Sequence, residues 1–332
     1  MQISSIIDIV EGELLNSPSI SFIYNIKTQI NKIHEGDLFI ASNEYEIQNA
    51  LSRGAFGILY DFDTNIVDNE IAWIKVKSIN YAISKLIRYK LSNLDLEAFY
   101  CNKITYEILS LFIRQNDENI RLISNDFTNE IDLFDNFENI DNVKTIICQN
   151  KEKLDGIYPN NSNFNHTQYS VKNLLEHSLF ETTFSCGKSY FPRLKLPSLY
   201  INNFLEVYSF LNNDLDVNRL KKIDSFRPLF IDKYFKLIEY GSSDKFILSH
   251  TDVSQATIEI KHLKDKYTYA KTFIFAKGIV NMDNEYIDHR VSNLVEIKDF
   301  LHTKKFNAVY IIGFTKEEIT NFITKNSTLP LL

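Results

Sequence analysis

Glycine and proline are scarce in this chain, with nine and six in 332 residues. Loops that wrap phosphate groups are built of glycine, because a backbone without Cβ takes left-handed conformations and lets an anion approach closely. A chain so poor in glycine has few places for such a loop. Cysteine is rarer still, and Cys101, Cys148 and Cys186 lie far apart with no CxxC or Cys/His ligand spacing. A disulfide framework and a structural zinc are therefore not expected, and the thiols read as reduced and mostly buried. No apolar run approaches the about 18 residues of a membrane span, and the opening MQISSIIDIVEGELL has no basic stretch and carries Asp8, Glu11 and Glu13, unlike a secretory signal. A cytoplasmic location without membrane insertion is the expectation. Positive charge is not in excess either: the formal net charge is −7. That argues against nucleic acid or an anionic membrane surface as the main partner, without excluding a local basic patch.

What is present is ordinary for a globular protein, 44% hydrophobic and 24% charged. The length exceeds the usual single domain, so two or three domains with separate cores are expected. Residues 34–61, HEGDLFIASNEYEIQNALSRGAFGILYD, are the most informative stretch. A Gly36-Asp37 turn opens an apolar strand at 38–41. Ile47, Ala50 and Leu51 then recur at helical spacing, and Gly54 and Gly57 lead into a second strand at 58–60. A strand at 71–76 and a helix at 79–91 follow, with Ala82, Ile83, Leu86, Ile87 and Tyr89 on the helical pattern. Residues 92–95 read as a linker.

The same alternation continues. Residues 96–101 (LEAFYC) read as a strand, and a helix from Lys103 carries Ile104, Ile108, Leu111 and Phe112 on one face. Alternating segments at 120–123, 131–137 and 143–148 extend the α/β winding, and 160–166 (NNSNFNH) reads as a loop. Two strands flank Cys186-Gly187, and an aromatic-rich helix spans 199–211. A hairpin is expected from 235–240 and 246–248 around Gly241. A helix capped by Asp252, with Gln255 three residues on, has Ala256, Ile260 and Leu263 as its apolar face. Strands at 272–276 and 308–312 lead to Thr315-x-x-Glu318, a capping box before a last helix. Strand followed by helix, repeated, predicts mostly parallel sheets.

The 34–91 block, with GDLF before its first helix and GAFGILY after it, resembles the N-terminal, uridine-nucleotide-binding domain of the Mur ligases. These are the ATP-dependent amino-acid ligases of peptidoglycan assembly. The likeness in element order spans almost the whole chain, and the layout is most similar to the members that add D-Ala-D-Ala. It implies a three-domain α/β fold: a small N-terminal α/β domain (1–92), a shortened P-loop-type central domain (93–225) and a Rossmann-like C-terminal domain (226–332).

In the family a strand of the central domain runs into a glycine-rich loop, TGSNGKTTT, whose amides cradle the ATP phosphates, while its Lys contacts them and a Thr holds magnesium. The corresponding residues here are Ala98-Phe99-Tyr100-Cys101-Asn102-Lys103-Ile104-Thr105. Lys103 and Thr105 match the family's lysine and a following threonine, and are the two residual ATP-binding positions. Phe99 and Asn102 replace glycines, and Ile104 stands for the magnesium threonine. Cβ-bearing residues block close approach of the backbone to phosphate, and isoleucine cannot ligate a metal.

Other family positions are eroded too. The uridine-binding DSR falls near Gln29-Ile30-Asn31, and DGH has no match at 43–46. Only about 120–156 is left for the acidic magnesium ligands and the carbamylated lysine. In Leu196-Pro197-Ser198-Leu199-Tyr200-Ile201-Asn202-Asn203 the family's Leu-Pro and one Asn persist while its His is lost. Gly36 and Asp37 survive as candidate substrate-binding positions, though turn geometry alone explains them. So does His250 in Leu248-Ser249-His250-Thr251-Asp252, where the family reads DDYAHNP and where a helix-cap cluster around Asp252 is the better explanation. Ser185-Cys186-Gly187-Lys188-Ser189 imitates a P-loop, but Thr182 stands where the first glycine belongs, so a hairpin turn is expected.

No catalytic residue, metal site or cofactor is expected on this reading. It describes a Mur-ligase-like pseudoenzyme of bacterial cell-wall metabolism, a binding or regulatory protein whose partners are peptidoglycan-synthesis proteins or a UDP-muramyl compound. An active ligase of reduced pattern, using ATP and Mg2+ through Lys103 and Thr105, is the first alternative. A scaffold that keeps only the fold is the second.

Overall fold

Uninterrupted apolar runs such as LFI, GILY, TIIC and AVYII are what strands buried on both faces require, and they become the central strands of parallel sheets. A computed structural model describes all residues except 114–117, 126–129, 139, 165–168, 213, 281, 283 and 328–332. It divides into two compact units, Met1–Tyr106 with Ile113–His166, and Glu107–Phe112 with Thr167–Leu332.

The first unit runs α1 (Ile3–Val10), β1 (Glu13–Leu14), β2 (Ile26–Lys27), β3 (Leu38–Ile40), α2 (Glu44–Ser52), β4 (Gly57–Tyr60), β5 (Ala72–Lys75) and α3 (Ile79–Ser92). Then come β6 (Glu97–Tyr100), α4 (Lys103–Phe112, shared with the second unit), β7 (Ile120–Ile123), α5 (Glu130–Asn136), β8 (Thr145–Cys148), α6 (Lys151–Ile157) and β9 (Ser162–Asn163). Among the described residues the strands make two sheets, ordered β1-β5-β4-β3-β2 and β7-β8-β6-β9. The pairings are parallel except β1 with β5.

Side-chain alternation places the core of this unit. Phe39, Ile58 and Trp73 pack with Ile47 and Ala50 of α2 on one face of the first sheet. Leu38, Ile40, Leu59 and Ile74 join α1 and α3 on the other, in a cluster that continues through Leu86, Ile87 and Leu91 to Leu133, Phe137, Ile146 and Cys148. Helix α3 is hydrophobic on two sides because it is covered on two sides.

The second unit holds β10 (Val171–Ser178), β11 (Glu181–Cys186), β12 (Ser189–Leu194), α7 (Ile201–Phe210), β13 (Leu229–Phe230), β14 (Phe246–His250), α8 (Val253–Lys266), β15 (Thr272–Lys277), β16 (His289–Val291), α9 (Leu294–Thr303), β17 (Ala308–Ile312) and α10 (Lys316–Ser327). Strands β10, β11 and β12 form an antiparallel sheet whose β11–β12 turn is Gly187-Lys188, with Gly187 at φ +58°. The P-loop imitation is thus the expected hairpin. The other sheet has the order β13-β14-β17-β15-β16, parallel except for β13.

Three expectations need correction. Within 160–166, expected as a loop, Ser162–Asn163 form β9 and pair parallel with β6. Residues 235–240 do not form the first arm of a hairpin with 246–248: β14 pairs antiparallel with β13, and among the described residues the 235–240 segment takes part in a single Ile231–Leu237 bridge. Phe235 takes φ +63°, a left-handed turn geometry that breaks a strand. At α8, Asp252 caps as expected, accepting the Ser254 and Gln255 N–H groups at 2.8 and 3.1 Å. Gln255, however, turns inward to donate to the Tyr200 hydroxyl at 2.9 Å. At α10 the capping box is complete, with Glu318 N–H on Thr315 Oγ1 at 3.1 Å and Thr315 N–H on Glu318 Oε2 at 2.6 Å.

Candidate functional site

Strand β6 ends at Tyr100 and α4 begins at Lys103, so Cys101 and Asn102 are the whole connection. Cys101 still belongs to the sheet edge, its N–H donating to the Cys148 carbonyl at 3.0 Å. Asn102 caps the helix: its side-chain oxygen accepts the Thr105 N–H at 2.9 Å and its carbonyl accepts the Tyr106 N–H at 3.0 Å. A turn this short has no span to curl around a phosphate, and its cap occupies one of the donors a phosphate would use. Ile104 and Thr105 are 3% and 1% exposed, so neither the isoleucine nor the neighbouring hydroxyl is presented to a metal ion in solvent. Lys103 is exposed on the first helical turn. These residues do not fit the family's phosphate loop, and no step through ATP can be built on them.

Gly36 and Asp37 hold three chain segments together. Gly36 sits at φ +96°, where a Cβ would lie 2.0 Å from the Tyr24 ring. Its carbonyl accepts the Tyr24 N–H at 2.9 Å and its N–H donates to the Gly54 carbonyl at 3.0 Å. The Asp37 carboxylate, 1% exposed, accepts Asn25 Nδ2 and the His34 N–H, each at 3.0 Å. The neighbouring Lys27-to-Lys32 segment, which contains the Gln29-Ile30-Asn31 position, is tied internally as well. Thr28 and Gln29 donate to Asp135, and Lys27 and Lys32 pair with Glu138 at 2.5 and 2.9 Å. Hydrogen bonds from both lysines hold the Glu138 carboxyl down at about 2.

His250 ends β14 and is buried, its Nδ1 accepting the Asp252 N–H at 2.9 Å. Its carbonyl accepts the Gly313 N–H at 3.0 Å, which locks the carboxyl ends of β14 and β17. Ligands of open α/β sheets bind at such carboxyl ends. Here both adjoining helix N-termini are capped by their own residues, α8 by Asp252 and α10 by Thr315 and Glu318. The structure therefore keeps Gly36 and Asp37 in the turn before β3 and Lys103 and Thr105 in the first turn of α4, and sets His250 in a cap cluster of the second unit. Among the described residues no group of three or more His, Cys, Asp or Glu is placed to share a metal ion.

One buried polar cluster was not anticipated. Glu259, fully buried on α8, accepts the hydroxyl protons of Tyr200 and of Tyr310, the latter at 2.5 Å. Burial raises the Glu259 carboxyl, and burial followed by the neighbouring carboxylate raises both tyrosines well above their ordinary range. The signal in the sequence was a lone glutamate inside the apolar face Ala256, Ile260, Leu263. Tyr310 comes from β17 and Tyr200 from the turn before α7, so the cluster joins three elements of the second unit.

No protein-family model matches the chain, and neither does any curated protein. Solved structures do. Crystal structure I of MurF from Acinetobacter baumannii matches with a TM-score of 0.56, covering 98% of this chain and 98% of that one at 10% identity. The UDP-N-acetylmuramoylalanyl-D-glutamyl-2,6-diaminopimelate--D-alanyl-D-alanyl ligase of the same organism matches with a TM-score of 0.50, covering 98% and 97% at 9% identity. The chain has a Mur-ligase-like fold. Identity this low speaks to the fold alone. The strand–helix–strand order expected for the 34–91 block is present in that fold as β3, α2 and β4. Among the described residues no helix is long and apolar enough to cross a membrane.

Proposed function

We propose that this protein is a binding or regulatory member of peptidoglycan metabolism that does not ligate. The observation that carries the reading is the two-residue, Asn102-capped connection between Tyr100 and Lys103, in the place of a glycine-rich phosphate loop. Asn102 occupies a helix-start donor, Ile104 removes a metal ligand, and Lys103 alone would supply one charge without the backbone cradle. Without a backbone cradle at this turn, we read the fold as one of recognition rather than ligation. The ligand class it retains is a UDP-muramyl compound, the substrate type named for the Acinetobacter ligase, and its protein partners are enzymes of peptidoglycan synthesis.

Two measurements test this together. With UDP-muramyl tripeptide, D-Ala-D-Ala, ATP and magnesium, no ADP should be released above the protein-free rate. The UDP-muramyl tripeptide alone should raise the melting temperature, since a ligand at a hundred times its dissociation constant adds about 2.7 kcal/mol. ADP release that depends on the tripeptide and is lost in Lys103→Ala overturns the proposal in favour of an active ligase. No thermal shift with any UDP-muramyl compound leaves a scaffold that keeps only the fold.

A further inference from the structure

The second unit holds a cavity of about 320 Å³ whose wall carries four cations, Lys195, Lys221, Lys222 and Arg227, and no carboxylate. In a chain with a net charge of −7 this is a local reversal of sign. Lys195 is already engaged, paired with the buried Glu181 and lying 5.6 Å from the centre of the Tyr240 ring. Lys221, Lys222 and Arg227 make no ion pair among the described residues, so three positive charges converge without compensation. Apart from Ser225 and Tyr240 the rest of the wall is apolar: Phe180, Pro197, Phe226 and Pro228 line it, and the Phe180 and Phe226 rings pack 5.6 Å apart.

The cationic segment is held in place before any ligand arrives. Glu107 accepts the Asp224 and Ser225 N–H groups and, at 2.5 Å, the Ser225 hydroxyl. Lys316 pairs with Asp224 at 2.7 Å. The nearby carboxylates thus hold the loop rather than face the cavity. Phe226 takes φ +53°, a left-handed backbone that bulky residues rarely adopt, and such strain gathers where a loop is shaped to clamp something. Tyr240, whose phenol is pushed up to about 12 chiefly by burial, stays protonated and able to donate at the cavity wall.

We infer that this cavity binds a small phosphorylated organic molecule, its phosphate held by Lys221, Lys222 and Arg227 and its apolar body set against Phe180 and Phe226. Three uncompensated cations exceed what one carboxylate would balance and suit a doubly charged phosphate monoester. The volume falls within the range of about 300–1,000 Å³ typical of small-molecule sites. The site uses none of Lys103, Thr105, Gly36, Asp37 or His250, so it stands independently of the function proposed above.

Calorimetric titration of the full chain with 1-naphthyl phosphate tests it, with 1-naphthol and inorganic phosphate in parallel. Saturable binding of the naphthyl phosphate that weakens with added salt is the expected result, with no saturation by the neutral naphthol. Lys221→Ala with Lys222→Ala should weaken binding by at least about tenfold, leave the unliganded melting temperature unchanged because both side chains are exposed, and be rescued by arginine at both positions. No saturable binding at millimolar naphthyl phosphate, or equal affinity in the double alanine variant, overturns the assignment. Inorganic phosphate binding as tightly as naphthyl phosphate overturns the role given to the aromatic wall.

Discussion

The side-chain oxygen of Asn102 lies 2.9 Å from the backbone nitrogen of Thr105, and this cap starts α4. Asn102→Ala should therefore destabilise the protein by about 1 kcal/mol, and Asn102→Gly by only a few tenths. Urea unfolding followed by circular dichroism reads the difference. An equal cost for both would mean that the cap is not what holds this turn.

Gly36→Ala should be more damaging. The added Cβ meets the Tyr24 ring at 2.0 Å and must adopt φ +96°. Strain and overpacking together predict a loss of about 2–3 kcal/mol, seen as a lower melting temperature. Tyr24→Ala combined with Gly36→Ala should recover the part caused by the clash and leave the part caused by the backbone.

The Lys27–Glu138–Lys32 ion pairs predict an acid-side dependence. The Glu138 carboxyl is held at about 2 against an ordinary 4.5, chiefly by the hydrogen bond from Lys27. A depressed folded-state value stabilises fully above the ordinary carboxyl range and is lost as pH falls toward 2. Glu138→Gln should cost about 1 kcal/mol at neutral pH, as a partly exposed network allows. The gap to the wild type should close in acid, as melting curves across pH would record.

Glu259 predicts the opposite slope. Its carboxyl is raised by burial, so its best contribution lies below the ordinary carboxyl range and declines as pH rises through the folded-state value. Glu259→Gln keeps partners for the Tyr200 and Tyr310 hydroxyls without the buried charge, and should match or exceed the wild type once pH has risen past the raised Glu259 value. Glu259→Leu leaves the Tyr310 hydroxyl buried without an acceptor and the Tyr200 hydroxyl with Gln255 as its remaining partner, and should lose about 1–3 kcal/mol. Melting temperatures of both variants at acid and alkaline pH decide the matter.

How far these features could be read from sequence follows from their range. The GDLF block, the α8 cap and the α10 capping box are local, and each appears where residue pattern alone placed it. The β13–β14 pairing was hidden because β13 is only Leu229–Phe230, and Phe235 to Tyr240 looked the better strand. Strand β10 is almost entirely exposed, so its Leu174 and Leu175 follow no alternation and gave no signal. Glu259, Glu107 and the Lys221–Lys222–Arg227 wall depend on partners 51 to 118 residues distant or on a cavity formed by folding. No periodicity reports such neighbours.

Calorimetric titration of the wild-type chain and of Lys103→Ala with ATP and magnesium tests the central claim most directly. The Asn102-capped connection and the buried Ile104 and Thr105 predict no saturable binding in either protein at millimolar nucleotide. Micromolar binding by the wild type that disappears in Lys103→Ala would contradict the account.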